Sequence, residues 1–148
     1  MKISTKGRYG LRALIDLATY GCGNDPVYLS DIAKRQGISE KYLEHIFSSL
    51  NRAGLVKSVR GRKGGYFLSV SAGDITLDTI INTLEGPCIL VDCVTDAAAC
   101  PKTDKCATRD VWKMLGSKIE ETMKGVTLAN LAEKQKEKVT KDTLMYHI

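Results

Sequence analysis

The stretch GISEKYLEHIFSSLNRAGLVKSVRGRKGGYFL, residues 37–68, changes its period part-way along. In the first half Leu43, Ile46, Phe47 and Leu50 recur at the spacing of one helix face, with Ser39 where an N-cap belongs and Gly54 beyond the end. After Gly54 come two short runs rich in β-branched and aromatic residues, LVKSVRG and YFLSV, joined by RKGG. Such runs about a glycine-rich turn predict a hairpin, its tip carrying Arg60, Arg62 and Lys63 while Gly61, Gly64 and Gly65 let the backbone turn.

Working outward, Leu29–Gln36 reads as a short helix with Leu29, Ile32 and Ala33 facing inward, Asp31 near its positive end and Gly37 as its stop. Two helices about a glycine turn are a helix-turn-helix signature. An earlier helix is predicted from Gly7 to about Tyr20 on the Leu11, Leu14, Ile15, Ala18 stripe, ended by Gly21 and Gly23, and a later one from Leu77 to Glu85, capped by Thr76 and stopped by Gly86-Pro87. The fold class is mainly α with a small β-hairpin wing. Beyond it, a long helix is expected from about Thr108 to Lys124, with Trp112, Leu115 and Ile119 on one face, and another from Leu128 to Lys138 that frays as it becomes charged. The expected division is residues 1–85 as a winged helix-turn-helix, 86–106 as a cysteine-containing loop, 107–138 as a dimerisation helix with a C-terminal helix, and 139–148 as a flexible tail.

At 148 residues the chain can bury a real core without disulfides. The opening MKISTKGRYG has no apolar run resembling a signal peptide, and no later segment approaches the roughly 20 apolar residues of a membrane span. A cytoplasmic location is expected, with no membrane partner. The net charge of +5 is unevenly spread: residues 1–70 carry +7 and residues 71–148 carry −2. The first part is thus the candidate for an anionic partner, namely double-stranded DNA. The second helix of such a motif enters the major groove, which places Ser39, Lys41, Tyr42 and Glu44 on or near its outward side. Ser39 and Tyr42 can bond phosphates or bases, Lys41 suits phosphate or guanine, and Glu44 can accept from a cytosine amino group. Glutamate repels phosphate, so it points to base selection. Arg60 and Arg62 on the wing can reach a narrow minor groove or neighbouring phosphates. No paired carboxylates, nucleophile–base set or phosphate loop marks an enzyme.

Residues 93–106, CVTDAAACPKTDKC, hold three of the five cysteines in a loop with neither helical nor strand period. Structural zinc favours two cysteines two to four residues apart; here the gaps are six and five residues. An iron–sulfur cluster accepts ligands from a wider loop and prefers thiolates. Zinc, buried small side chains and redox-reactive thiols are the other readings of Cys93, Cys100 and Cys106. Cys22 and Cys88 read as structural.

Three stretches, MKISTKGRYGLRALIDLA, LSDIAKRQGISEKYLEHIFSSLNRAGLVKSVRGRKGGYFL and the three-cysteine loop followed by VW, closely resemble the IscR-type iron–sulfur cluster regulators of bacteria over about residues 1–130. The resemblance implies a homodimeric winged-helix transcription factor holding a [2Fe–2S] cluster on Cys93, Cys100 and Cys106 and controlling genes of cluster biogenesis. It places Ser39, Lys41, Tyr42 and Glu44 on the base-reading helix, Glu44 where site classes are distinguished, and Arg60 with the glycine wing (Arg62, Lys63, Gly64, Gly65) at the minor groove. It also implies that Trp112 to Met123 pack against a partner subunit. Two departures stand out. The family's histidine three residues after the third cysteine is Arg109 here, and arginine stays protonated and does not ligate iron. The first cysteine gap is one residue longer than in the best-known members. His45, His147, Cys88, Asp92 and Asp110 are the replacements the chain offers; related nitric-oxide sensors use an acidic residue of the first helix, where this chain has Arg8. The alternative function is a winged-helix repressor sensing nitric oxide, thiol redox state or a partner enzyme without a cluster.

Overall fold

In the computed structural model, which describes residues 2–21, 25–61 and 64–145, the chain runs α1 (Thr5–Tyr20), α2 (Leu29–Gln36), α3 (Glu40–Arg52), β1 (Val56–Val59), β2 (Gly65–Leu68), α4 (Leu77–Glu85), α5 (Ala107–Lys124) and α6 (Leu128–Met145). The α3 stripe of Leu43, Ile46, Phe47 and Leu50 is wholly buried among Ala13, Leu14 and Leu17 of α1 and Ile32 of α2. Side chains of this size contribute roughly 1.5–3 kcal/mol each on burial, so this face fixes how α3 is presented. Gly37 takes the left-handed conformation (φ 64°, ψ 38°), which lets α2 stop and α3 start with only three residues between them. Ser39 then caps α3, accepting from the Tyr42 N–H at 3.2 Å.

β1 and β2 pair antiparallel, Val56 opposite Leu68 and Val59 opposite Gly65. Val27 adds a bridge to the free edge, exchanging hydrogen bonds with Tyr66 at 2.8 and 2.9 Å. Gly65 makes this approach feasible: its φ is 150°, and a Cβ there would lie 2.5 Å from the Val27 carbonyl oxygen. Phe47 and Tyr66 pack with ring centroids 4.7 Å apart, so the wing is fastened to the core of α3.

Two polar ties leave no mark in the sequence pattern. Asp16 of α1 is buried, and its carboxylate accepts from Arg35 Nε at 3.1 Å to each oxygen, from Arg35 Nη2 at 2.6 Å and from Gln36 Nε2 at 2.8 Å. Glu85, the last residue of α4, accepts from the Ser4 N–H at 2.8 Å and from the Ser4 hydroxyl at 2.7 Å. Ser4 is itself the N-cap of α1, accepting from Gly7 N–H at 3.1 Å. The end of α4 therefore holds the beginning of α1.

The C-terminal helix corrects one expectation. It continues past Lys138 to Met145, so the residues expected as a tail from 139 onward are helical as far as described. Lys and Glu are good helix formers, and their charge alone does not fray a helix. Nor do α5 and α6 form one unit. Leu128 is fully buried in the winged-helix core, and its N–H donates to Ile75 O at 2.8 Å while Leu77 N–H donates to Val126 O at 2.8 Å. In α5, by contrast, Met123 is the only buried residue, and Val111, Trp112, Met114 and Leu115 are exposed. No helix among the described residues is long and apolar enough to cross a membrane.

Candidate DNA interface and cysteine loop

On the outer side of α3, Lys41 and Glu44 are exposed. Glu44 and Arg60 line one cleft of about 440 Å³ between α3 and the wing, together with Glu40, Ser58, Tyr28 and Tyr66. Carboxylates beside an arginine make this cleft mixed in sign, which suits hydrogen bonding to base edges better than indiscriminate attraction of phosphate. Glu40 was not among the residues expected from the sequence; its place directly after the Ser39 cap, in the first turn of α3, is the signal that marks it. Ser39 uses its oxygen to cap the helix and keeps an O–H to donate. Tyr42 is not fully outward: it is partly buried against the core and meets Tyr9 edge-on at 6.1 Å. The reason is helical geometry, since Tyr42 and the buried Ile46 are four residues apart on one face. Gly64 stands with Gly65 in the wing; a Cβ on it would lie 2.7 Å from Val59 O. Arg62 and Lys63 lie outside the described residues.

The cysteine loop is stitched together. It contains three short 3-10 turns, Asp92–Val94, Ala97–Ala99 and Thr103–Lys105. Thr103 is buried, its hydroxyl within donating reach of the carbonyls of Ala97 (2.9 Å) and Cys100. Asp96 accepts from Ala98 N–H at 2.9 Å. Cys88, Cys93, Cys100 and Cys106 are half-buried. Cys106 is the N-cap of α5, with its sulfur 3.1 Å from the Thr108 hydroxyl. That hydroxyl, followed by the main-chain N–H of Arg109, holds the Cys106 thiol below its ordinary pKa. A depressed pKa keeps the thiolate populated at lower pH. The iodoacetamide alkylation of Cys106, followed by peptide mass spectrometry, is therefore expected to have its pH midpoint below the usual thiol range, and Thr108→Val to move it upward.

At the position where the family resemblance implies a ligand, Arg109 donates from Nε to the Cys93 carbonyl at 2.7 Å. Of the replacements, His45 is exposed on α3, Asp92 is exposed beside Cys93 at the start of its 3-10 turn, Asp110 is exposed in the first turn of α5 and acts electrostatically on Cys106, and Cys88 is half-buried. Cys22 and His147 lie outside the described residues. Among the described residues no three His, Cys, Asp or Glu side chains stand close enough to share one metal ion. Thiols are the donors that the iron of a cluster prefers, but the described residues do not bring three of them together, and in number the loop is one ligand short.

The profile of the Rrf2 family, described as an iron-dependent transcriptional regulator, matches residues 3–134. The chain is 41% identical over 131 residues to the HTH-type transcriptional regulator IscR of Vibrio atlanticus, covering 88% of this chain and 75% of that one. Among solved structures, it is similar to CymR, the global cysteine regulator of B. subtilis, with a TM-score of 0.79 and 40% identity over 90% of this chain and 98% of that one. It is also similar to T. potens IscR, with a TM-score of 0.74 and 42% identity over 93% and 90% of the two chains. A recognition helix and wing fastened to one core, carried by a chain with relatives named as transcriptional regulators, place this protein in the Rrf2 family of DNA-binding transcriptional regulators.

Proposed function

We propose that the protein is a cytoplasmic homodimeric regulator that binds double-stranded operator DNA and senses iron–sulfur cluster status, holding a [2Fe–2S] cluster through Cys93, Cys100 and Cys106 and controlling genes of cluster biogenesis. In this reading Glu44 and Lys41 select and hold the site from α3, while Arg60 and the glycine wing reach the neighbouring groove. The observation that carries it is where the loop is anchored. At its start stands Glu85, which clamps the cap of α1, and at its end stands Cys106, which caps α5. A change in the loop thus reaches both the basic start of α1 and the helix proposed to join two copies. When bound, the cluster would supply a labile, redox-active iron centre. The protein's part is to present three thiols and to convert occupancy into a preference between two arrangements, which requires that the two hold the cluster with different affinity.

The test is anaerobic incubation with iron and sulfide, followed by metal analysis and operator titration. The expected result is stoichiometric iron with visible absorption, and an affinity for at least one operator that differs about 5- to 150-fold between loaded and apo protein, the usual range of allosteric coupling. A variant with Cys93, Cys100 and Cys106 all changed to Ala should take up no cluster and bind as the apo protein does. A colourless, iron-free parent sinks this reading. The reading left standing would then be direct thiol chemistry, which the depressed Cys106 pKa and the likeness to a cysteine regulator favour.

A further inference from the structure

We propose that the cleft between α1 and α6 is a binding site for a small organic carboxylate, and that its occupant acts on the turn between α2 and α3 through Arg12 and Gln36. The site is apart from the cysteine loop and does not depend on the cluster reading. Its first support is the seam between the two helices. α6 begins in close contact with the core, with Leu128 and Ala132 at 0 and 6% exposure. The residues that continue this face at helical spacing, Gln135, Lys136, Val139 and Thr140, line instead a cleft of about 520 Å³ whose other walls are α1 and the end of α2. Pockets for small molecules measure about 300–1,000 Å³ and combine apolar walls with a few convergent polar groups. Here Ile15, Val139 and Tyr20 are the apolar part, and Thr19 and Thr140 offer hydroxyls.

The second support is charge. Arg12 of α1 and Lys136 of α6 both line the cleft, and neither is in an ion pair among the described residues. Asp16 also lines it, but its carboxylate is already taken by Arg35 and Gln36. The uncompensated charge is positive on two walls, which disfavours a cation and suits an anion. A bare inorganic ion would leave the apolar walls unused, so the fitting class is a carboxylate on a short hydrocarbon skeleton. Arg12 Nε donates to the Gln36 side-chain oxygen at 3.2 Å and Nη2 to the Gln36 main-chain oxygen at 2.7 Å. The other donors of its five have no hydrogen-bond partner among the described residues and can take a carboxylate. Gln36 is the last residue of α2, directly before the left-handed Gly37. The guanidinium also rests 5.6 Å from the centroid of the Tyr9 ring, which in turn meets Tyr42 of α3. Whatever draws on Arg12 therefore reaches the turn into α3.

Succinate is the probe, with butane-1,4-diol as its uncharged counterpart, followed by methyl and amide NMR of the full chain at constant ionic strength. Succinate is expected to shift the methyl signals of Ile15 and Val139 and the amides of Gly37 and Ile38 along one saturating curve, with a midpoint on the order of millimolar for so small a ligand. Arg12→Gln and Lys136→Gln should each weaken binding about tenfold, as loss of a charge-assisted hydrogen bond does. Lys134→Gln, a change on α6 outside the cleft, should bind as the parent does. No saturation at Ile15 and Val139 by about 50 mM, or the same shifts with the diol, overturns the site. So does a response that survives both Arg12→Gln and Lys136→Gln. Saturation at Ile15 and Val139 with Gly37 and Ile38 unmoved leaves the site standing and removes its action on the turn. If succinate does not bind while both variants hold DNA of any sequence less tightly and with a shallower salt dependence, the two cations serve the phosphate backbone and the proposal falls.

Discussion

Arg35→Ala is expected to cost about 3–5 kcal/mol of stability, more than Asp16→Ala, although the two residues share one ion pair. The difference lies in what each change leaves behind. Asp16 has no exposed side-chain surface, whereas the Arg35 side chain is 32% exposed. Removing Asp16 frees a guanidinium that can turn to water while still resting on the Tyr20 ring, 4.3 Å from its centroid. Removing Arg35 strands a buried carboxylate with Gln36 as its remaining partner. A buried unpaired charge is the costlier remnant. Asp16 also raises the Arg35 pKa above its ordinary value, first through their hydrogen bond, so the guanidinium keeps its charge. With a urea slope of about 2 kcal/mol/M the midpoint should fall on the order of 2 M. Urea melts of parent, Asp16→Ala and Arg35→Ala at one fixed protein concentration check the order as well as the size. If Asp16→Ala proves the worse of the two, the carboxylate is not the buried partner.

The network around Asp16 shows where sequence reading reaches its limit. Spacing placed α2 from Leu29 to Gln36 and α4 from Leu77 to Glu85, because a buried stripe with a cap at one end leaves a periodic trace in the chain. A tie between residues 19 apart leaves none: Asp16 and Arg35 each read as ordinary polar positions, and burial of the first is set by how two helices cross. The same holds for Glu85, whose partner Ser4 is 81 residues away. Along α3 the periodic signal put Lys41, Tyr42 and Glu44 on or near the outward side but did not tell the exposed Lys41 and Glu44 from Tyr42, an aromatic ring that covers both the core edge and the surface. In the cysteine loop, residue types gave candidates and no geometry. That Arg109 bonds the Cys93 carbonyl is a consequence of three short turns whose shape no period encodes.

A Leu115→Glu exchange is expected to turn the proposed dimer into a monomer and to weaken binding to a two-half-site operator by about a hundredfold or more. The reasoning starts from α5, where Val111, Trp112, Met114 and Leu115 are 45, 39, 59 and 40% exposed and Met123 alone is buried. A helix whose large apolar side chains face water next to a well-filled core has an unfilled interface, because monomers rarely expose such a contiguous patch. Gly116 points the same way. A Cβ at this position would meet nothing within 4 Å, and glycine in a helix interior costs about 1 kcal/mol relative to alanine. Nothing inside one copy calls for a bare backbone there, whereas close approach of a second helix would. In a two-fold interface each α5 meets its own copy, so one substitution places two glutamates in the same apolar seam and both must be desolvated. The effect on DNA follows from linkage. Helix-turn-helix dimers engage two half-sites, and the second is reached at an effective concentration near millimolar, which multiplies affinity by about 10²–10⁴. Sedimentation equilibrium should report the change in mass, and titration against a single half-site should find parent and variant alike, since the α3–wing cleft lies apart from α5. A Leu115→Glu protein that still sediments as a dimer would mean that the exposed face of α5 is not where two copies meet.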